Sequence, residues 1–292
     1  MFNKWLSAFL IFLITPLFGF CGYKYEISIC AIFQDESPYL AEWIEYHKIL
    51  GVNHFYLYNN NSQDSYKEVL KPYIKNKIVT LIEWPTPKEG DWTNYQILAY
   101  NDCLKHFRQK TKWLAVIDID EFIHLKLHDN LHDFLKNYQD VGGVTLNWQV
   151  FGTSWVSKIP ENELLIDCLY LRSEDNDPGN KWYKSIMRTE RISFLSVHNA
   201  LYTEGFCDVS THKVHSPEAP IETDIAVLNH YWTRDENFFF SVKVARRQRL
   251  GVSYTEEQIQ EIFSSLNKIP DTGIQRHSSK VKARLDKNRY FF

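Results

Sequence analysis

From Tyr25 onward the chain alternates short apolar runs with amphipathic helical stretches, and this β-α-β rhythm constrains the fold more than any other feature. Tyr25-Glu-Ile-Ser-Ile-Cys-Ala-Ile-Phe33 begins by alternating and then turns solidly apolar, as a strand does when it becomes buried on both faces. Ser37 and Pro38 follow as a helix N-cap and first-turn proline. Leu40, Trp43, Ile44 and His47 then fall on one helical stripe, and Gly51 closes the helix. Residues 54–58 read as the next strand, ending in the polar cluster Asn59-Asn60-Asn61-Ser62. Further strands are predicted at 78–82, 113–117 and 144–148, with helices over 93–107 and 131–138. After Trp148 the pattern loses its regularity: polar loops at 173–180 and 210–222 flank one strand-like run at 184–188. No repeat or linker divides the chain, so the expected fold class is α/β, a single domain with a loop-rich second half.

Composition narrows the function classes. With 44% hydrophobic and 15% aromatic residues the chain is globular, which excludes a disordered or collagenous protein. A net charge of -3 supplies no global field for nucleic acid, so any phosphate site must be local. Cys21, Cys30, Cys103, Cys168 and Cys207 are odd in number and form no CxxC pair, which suggests neither a disulfide framework nor a zinc ribbon. Lys4 precedes an apolar run from Leu6 to Phe20, short for a spanning helix and of the length of a signal-peptide core. Residues 1–24 are therefore set apart as a signal peptide or N-terminal anchor. The expectation is membrane association or export, with the cytoplasmic face still open.

The segment richest in chemistry is Trp113-Leu-Ala-Val-Ile-Asp118-Ile-Asp120-Glu121-Phe122, an apolar strand that runs into three acids. Carboxylates at the end of a core strand are costly unless something positive neutralises them. If the chain stays extended, Asp118 and Asp120 share a face, where two hard oxygen donors meet a divalent cation or a ribose hydroxyl. Phe33 to Glu36 form a second candidate at a helix N-terminus, although an acid there also serves the helix dipole. Asn59 to Asn61 suit turns, and the same amides suit a base edge. Later, Asn229-His230-Tyr-Trp is followed by Arg234, Lys243, Arg246 and Arg247: an imidazole to complete a metal site and cations to balance a diphosphate. Lys243, three and four residues from the two arginines, shares a helical face with either. His212 and His215 also have a metal-like spacing, but in a polar loop with no acidic or cysteine partner nearby they read as loop residues.

Taken in order, Glu36-Ser-Pro-Tyr-Leu-Ala-Glu-Trp-Ile-Glu-Tyr-His47, Gly51 to Ser62, Trp113 to Phe122, Trp148-Gln-Val-Phe-Gly-Thr-Ser154, Lys184-Ser-Ile-Met-Arg188, His198 and Asn229-His-Tyr231 resemble the serial motifs of the family 92 glycosyltransferases and their bacterial relatives. The resemblance implies a GT-A fold with a mixed central sheet. In it residues 25–125 form a nucleotide-sugar half and 126–250 an acceptor half, with 251–292 a C-terminal extension. It implies that Asp118 and Asp120 form a D-x-D metal site and that the donor is a UDP-sugar, galactose being characteristic of the animal members. Two departures, Asp35 where relatives carry Asn and Asn59 where Asp is frequent, bear on the donor.

The expected activity is a metal-dependent, inverting glycosyl transfer. Asp118, Asp120 and His230 hold Mn²⁺ or Mg²⁺, Phe33, Glu36, Asn59, Lys243, Arg246 and Arg247 contact the donor, and a glycan, lipid-linked sugar or protein is the acceptor. Glu121, Glu174, Asp175 and Asp177 are the candidates for the base, and Trp148, Phe151 and Trp155 for an apolar floor under a sugar ring. A nucleotidyltransferase or phosphohydrolase, or a non-catalytic carbohydrate binder, are the alternatives.

Overall fold

The computed structural model describes residues 22–87, 90–212, 220–249 and 251–289. The N-terminal apolar run and His215 therefore lie outside the described residues. Among the described residues no helix is long and apolar enough to cross a membrane.

The first half follows the expected rhythm: β1 (Tyr25–Phe33), α1 (Ser37–Ile49), β2 (His54–Asn59), α2 (Tyr66–Lys75), β3 (Val79–Glu83), α3 (Trp92–Phe107) and β4 (Thr111–Val116). Next come β5 (Glu121–Leu125), α4 (Leu131–Leu135), β6 (Gly143–Val150), α5 (Leu165–Cys168), β7 (Leu171–Arg172), β8 (Tyr183–Arg188), β9 (Ile192–Leu195), β10 (Ala200–Tyr202), β11 (Phe206–Asp208) and β12 (Ala226–His230). A helical stretch then runs through α6 (Glu236–Phe238), a π-helical turn at Phe239–Val244 and α7 (Ala245–Arg249). The chain ends with α8 (Glu256–Leu266), β13 (Ile269–Pro270) and α9 (Ser278–Arg289).

The main sheet runs in the order β3-β2-β1-β4-β8-β6-β12-β5, with β11 added beside β6. The pairs β1–β2, β1–β4, β2–β3, β6–β11 and β6–β12 are parallel, whereas β4–β8, β6–β8 and β5–β12 are antiparallel. This is the mixed α/β sheet that the resemblance implies, and both halves of the chain contribute strands to it. The second half is more regular than its sequence suggests: β12, whose last residues Asn229 and His230 are polar, is an interior strand.

β1 shows why the sheet is buried on both faces. Ile27, Ile29, Ala31 and Phe33 join the core beneath α1, while Cys30 and Ile32 pack with Ala99, Tyr100, Cys103 and Leu104 of α3. α1 is also buried nearly all round, because α9 covers its outer side and Arg284 reaches Glu45 at 3.4 Å. Its inner side holds the edge strand β5 by polar contacts. Trp43 Nε1 donates to the Glu121 carbonyl at 2.8 Å and Tyr46 OH to the Ile123 carbonyl at 2.7 Å. His47 donates from Nδ1 to the Trp43 carbonyl, which leaves Nε2 to accept the Ile123 N–H at 3.3 Å. Side chains of α1 thereby satisfy most of the free edge of β5, and Arg276 donates to the Leu125 carbonyl at its end.

The strand directions bring one set of ends together. β1, β2, β3, β4, β6 and β12 all finish at the same edge of the sheet, and the antiparallel β5 and β8 start there. In open α/β sheets this carboxyl edge is where ligands bind.

Candidate active site

The three acids sit in the tight connection between β4 and β5. The chain is not extended there: Glu121 N–H bonds the Asp118 carbonyl at 3.1 Å, and Ile119 and Asp120 form the turn. What brings Asp120 toward the second half is strand pairing. Glu121 lies opposite His230 in the β5–β12 register, and Tyr231 N–H donates to the Asp120 carbonyl at 2.8 Å. His230 Nε2 stands 3.7 Å from Asp120 Oδ1, and its ring packs on Trp148 with centroids 4.2 Å apart.

Four cations and acids complete the cluster. Lys184, the buried second residue of β8, lies 3.0 Å from Asp118 Oδ2 and 3.9 Å from Glu121 Oε2, and Tyr100 OH donates to Asp118 Oδ1 at 3.2 Å. Lys243 Nζ is 3.6 Å from Asp120 Oδ2. Arg234, fully buried, pairs with Glu36 at 2.5 Å and lies over the Tyr39 ring at 3.7 Å. Among the described residues none of its guanidinium nitrogens is aligned for a hydrogen bond.

The proton affinities follow from burial and neighbours. Burial pushes Glu36 up to about 7 in spite of Arg234, and Glu121 up to about 8 in spite of Lys184. Burial acts on Asp120 in the same sense, but Lys243, His230, Arg234 and Lys184 outweigh it and hold the carboxyl below its usual range. Burial pushes His230 down to about 4, so the imidazole is neutral and its nitrogens are available as ligands. Lys243 is also lowered by burial, against the pull of Asp120.

Of the residues singled out in the sequence, Asp118, Asp120, Glu121, Glu36, His230 and Lys243 come together. Phe33, Asn59, Arg246 and Arg247 make their contacts elsewhere. The Phe33 ring is buried against Tyr66, and its carbonyl accepts Asn60 N–H. Asn59 donates to Tyr66 OH and Glu83 and accepts Ser62 N–H, so its amide is spent on the turn. Arg247 bonds Tyr254 OH, and Arg246 is exposed beside Trp92. A π-helical turn over Phe239–Val244 precedes the arginines, and Arg246 still adds repulsion at Lys243.

Among the candidate bases, Glu121 is fully enclosed, with Oε2 accepting Asp118 N–H at 2.8 Å. Glu174 pairs with Lys268, Asp175 pairs with Arg172, and Asp177 caps the turn at Gly179. Of the three aromatics, Trp148 packs its ring on His230; Phe151 is core, its N–H donating to the His230 carbonyl at 2.9 Å, and Trp155 is exposed near Phe263. Lys184 and Tyr100 are members of the cluster that the sequence reasoning did not place there, whereas Arg234, read as a cation for a diphosphate, pairs with Glu36. The signal for Lys184 is a lysine beside Tyr183 at the start of a strand that continues into Ile186 and Met187.

The family model for glycosyltransferase family 92 matches residues 23–285. The chain belongs to glycosyltransferase family 92. A family 92 protein of Ricinus communis is 28% identical over 230 residues, covering 75% of this chain and 38% of that protein. A beta-1,4-galactosyltransferase of Caenorhabditis elegans is 33% identical over 108 residues, 34% of this chain and 25% of the relative. The chain thus spans well under half the length of these curated relatives. The crystal structure of S. aureus TarS superposes with a TM-score of 0.39 at 12% identity, over 87% of this chain and 72% of that one. The family 92 motifs, dispersed from Glu36 to Tyr231, supply α1, the acidic turn, the end of β6, the start of β8 and the end of β12, all of which meet at one edge of the sheet.

Proposed function

We propose that this chain is a metal-dependent glycosyltransferase whose donor is a UDP-sugar, with galactose the first candidate for the transferred sugar. The observation that carries the reading is the carboxyl-edge cluster, in which acids able to hold a cation stand beside buried cations able to hold a diphosphate. Family membership and the galactosyltransferase names among the relatives, a galactan beta-1,4-galactosyltransferase of Arabidopsis thaliana included, support it.

A donor set of one imidazole nitrogen with carboxylate oxygens accepts Mn²⁺, the metal expected for this reaction. Asp120 and His230, whose Oδ1 and Nε2 stand 3.7 Å apart, would hold such a cation. Asp118 is already engaged by Lys184 and Tyr100, which suits it to a ribose hydroxyl or to one further metal contact. Such a cation supplies charge neutralisation for the departing nucleoside diphosphate. Lys243, half-buried beside Asp120, and Arg234, buried and with donors that have no hydrogen-bond partner among the described residues, would do the same from the protein. Glu121, with Oε2 bonded to Asp118 N–H, holds the turn in shape.

The test is product analysis with UDP-galactose and other nucleotide-sugars, with and without Mn²⁺. Metal-dependent release of the nucleoside diphosphate supports the transferase. Release of monophosphate or pyrophosphate indicates a nucleotidyltransferase or phosphohydrolase, and no release from any donor a carbohydrate binder. The acceptor, whether glycan, lipid-linked sugar or protein, is then sought with the active donor.

A further inference from the structure

A second set of metal-ligating side chains lies outside the carboxyl-edge cluster, in the connection from β11 to β12. β11 ends at Asp208, whose side chain is fully buried. Its Oδ1 accepts Ser210 N–H at 2.9 Å, His212 N–H at 3.0 Å and Ser210 Oγ at 2.8 Å, whereas its Oδ2 is buried with no partner among the described residues. A hydroxyl has one hydrogen, and Ser210 gives it to the Asp208 carboxylate. Its oxygen must then accept from His212 Nδ1, 2.8 Å away. That bond fixes the tautomer of His212 and leaves the lone pair on Nε2, the second-sphere arrangement that orients a histidine ligand. Glu222 approaches from the other end of the loop, its N–H donating to Asn147 Oδ1 at 3.3 Å. One oxygen of Asp208, a ring nitrogen of His212 and one oxygen of Glu222 all lie within 4.8 Å of one another.

We propose that Asp208, His212 and Glu222 form a binding site for a divalent cation of the zinc class, separate from the Asp120–His230 site. Two carboxylates and an imidazole suit Zn²⁺ better than Mg²⁺ or Ca²⁺, which prefer oxygen alone, and the affinity order of divalent metals places Zn²⁺ above Mn²⁺. Bonds of about 2.1 Å to a tetrahedral ion require the three atoms to draw in, a movement open to His212, which is exposed, and to Glu222, which is half-buried. The buried orphan oxygen of Asp208 gains the partner it lacks. The ion ties both ends of a long loop to the sheet, and Asn147, which holds Glu222, directly precedes Trp148, the residue packed on His230. The expectation that His212 has no acidic partner is thereby corrected: Asp208, the end of β11, turns back to it within four residues.

The experiment is a calorimetric titration of the chelator-treated full chain with Zn²⁺ alone, without nucleotide. The Asp120→Asn variant is expected to keep one zinc site. His212→Ala and Glu222→Gln are expected to lose it, and Ser210→Ala, which removes only the bond that orients His212, to weaken it about tenfold. Zn²⁺ should raise the melting temperature of the wild type but not that of His212→Ala, while the metal-free proteins melt together. Wild-type zinc affinity in both His212→Ala and Glu222→Gln, or loss of all zinc binding in Asp120→Asn, overturns the proposal.

Discussion

Arg234 is a fully enclosed cation, and its backbone lies in the left-handed region at φ 51. Only Glu36 balances it directly, and burial keeps Glu36 itself reluctant to ionise. A buried pair of this kind contributes little to stability when intact but costs about 3–5 kcal/mol when one member is removed. Arg234→Met is therefore expected to destabilise the protein by that amount in urea denaturation, and Glu36→Gln/Arg234→Met to recover most of the loss. If Arg234 also serves the diphosphate, the double variant still binds UDP at least about tenfold more weakly than the wild type, because charge-assisted bonds to phosphate are lost. A stable double variant with wild-type UDP affinity returns Arg234 to a purely structural role. Arg234 and Lys184 are hard to read in the sequence because their partners are distant along the chain: Glu36 is in the first βα turn, and Asp118 precedes Lys184 by 66 positions. Asp118 and Asp120 are legible, because an apolar strand running into acids demands a counter-charge.

The contact between α1 and β5 is the element on which the acidic turn rests. Trp43 donates to the carbonyl of Glu121, the residue that also closes the turn by accepting Asp118 N–H. Trp43→Phe preserves most of the ring volume and removes that one bond, leaving a buried carbonyl short of a donor. A loss of about 1–3 kcal/mol is expected in thermal or urea unfolding, and a change within 0.5 kcal/mol would show that the bond is dispensable. α1 itself is plain in the sequence, from its first-turn proline and its apolar stripe. That the stripe carries donors for an edge strand is not, since β5 comes 72 residues after α1 ends and reads as a continuation of the acidic segment. The π-helical turn before α7 hides in the same way, because nothing in the spacing of Phe239 to Val244 announces it.

At the scale of the whole molecule, histidine burial sets the acid limit. Outside the carboxyl-edge cluster, burial pushes His47 down to about 3 and His54, His124, His198 and His277 to about 4. The unfolded chain takes up these protons near pH 6.5 and the folded one refuses them, so stability is full above that pH and is lost as pH falls toward 4. Each such group contributes a slope of about 1.4 kcal/mol per pH unit inside its window. Glu42 and Glu36, raised to about 7 by burial, and Glu121, raised to about 8, oppose them from about pH 7 down to 4.5, but with fewer protons than these histidines refuse. The melting temperature is therefore expected to drop steeply between pH 6.5 and 4.5, and equal values at those two pH values would contradict the burial described.

The central claim is that Asp120, with His230, holds the cation through which a nucleoside diphosphate binds beside Lys243 and Arg234. Its most direct measurement is a calorimetric titration of UDP into the wild type and Asp120→Asn, each with Mn²⁺ and with chelator. UDP should bind the wild type in the presence of Mn²⁺ and lose at least about tenfold in affinity when the metal is chelated. Asp120→Asn, folded by circular dichroism, should bind UDP weakly in both conditions. Metal-independent UDP binding of equal strength in the two proteins would contradict the account.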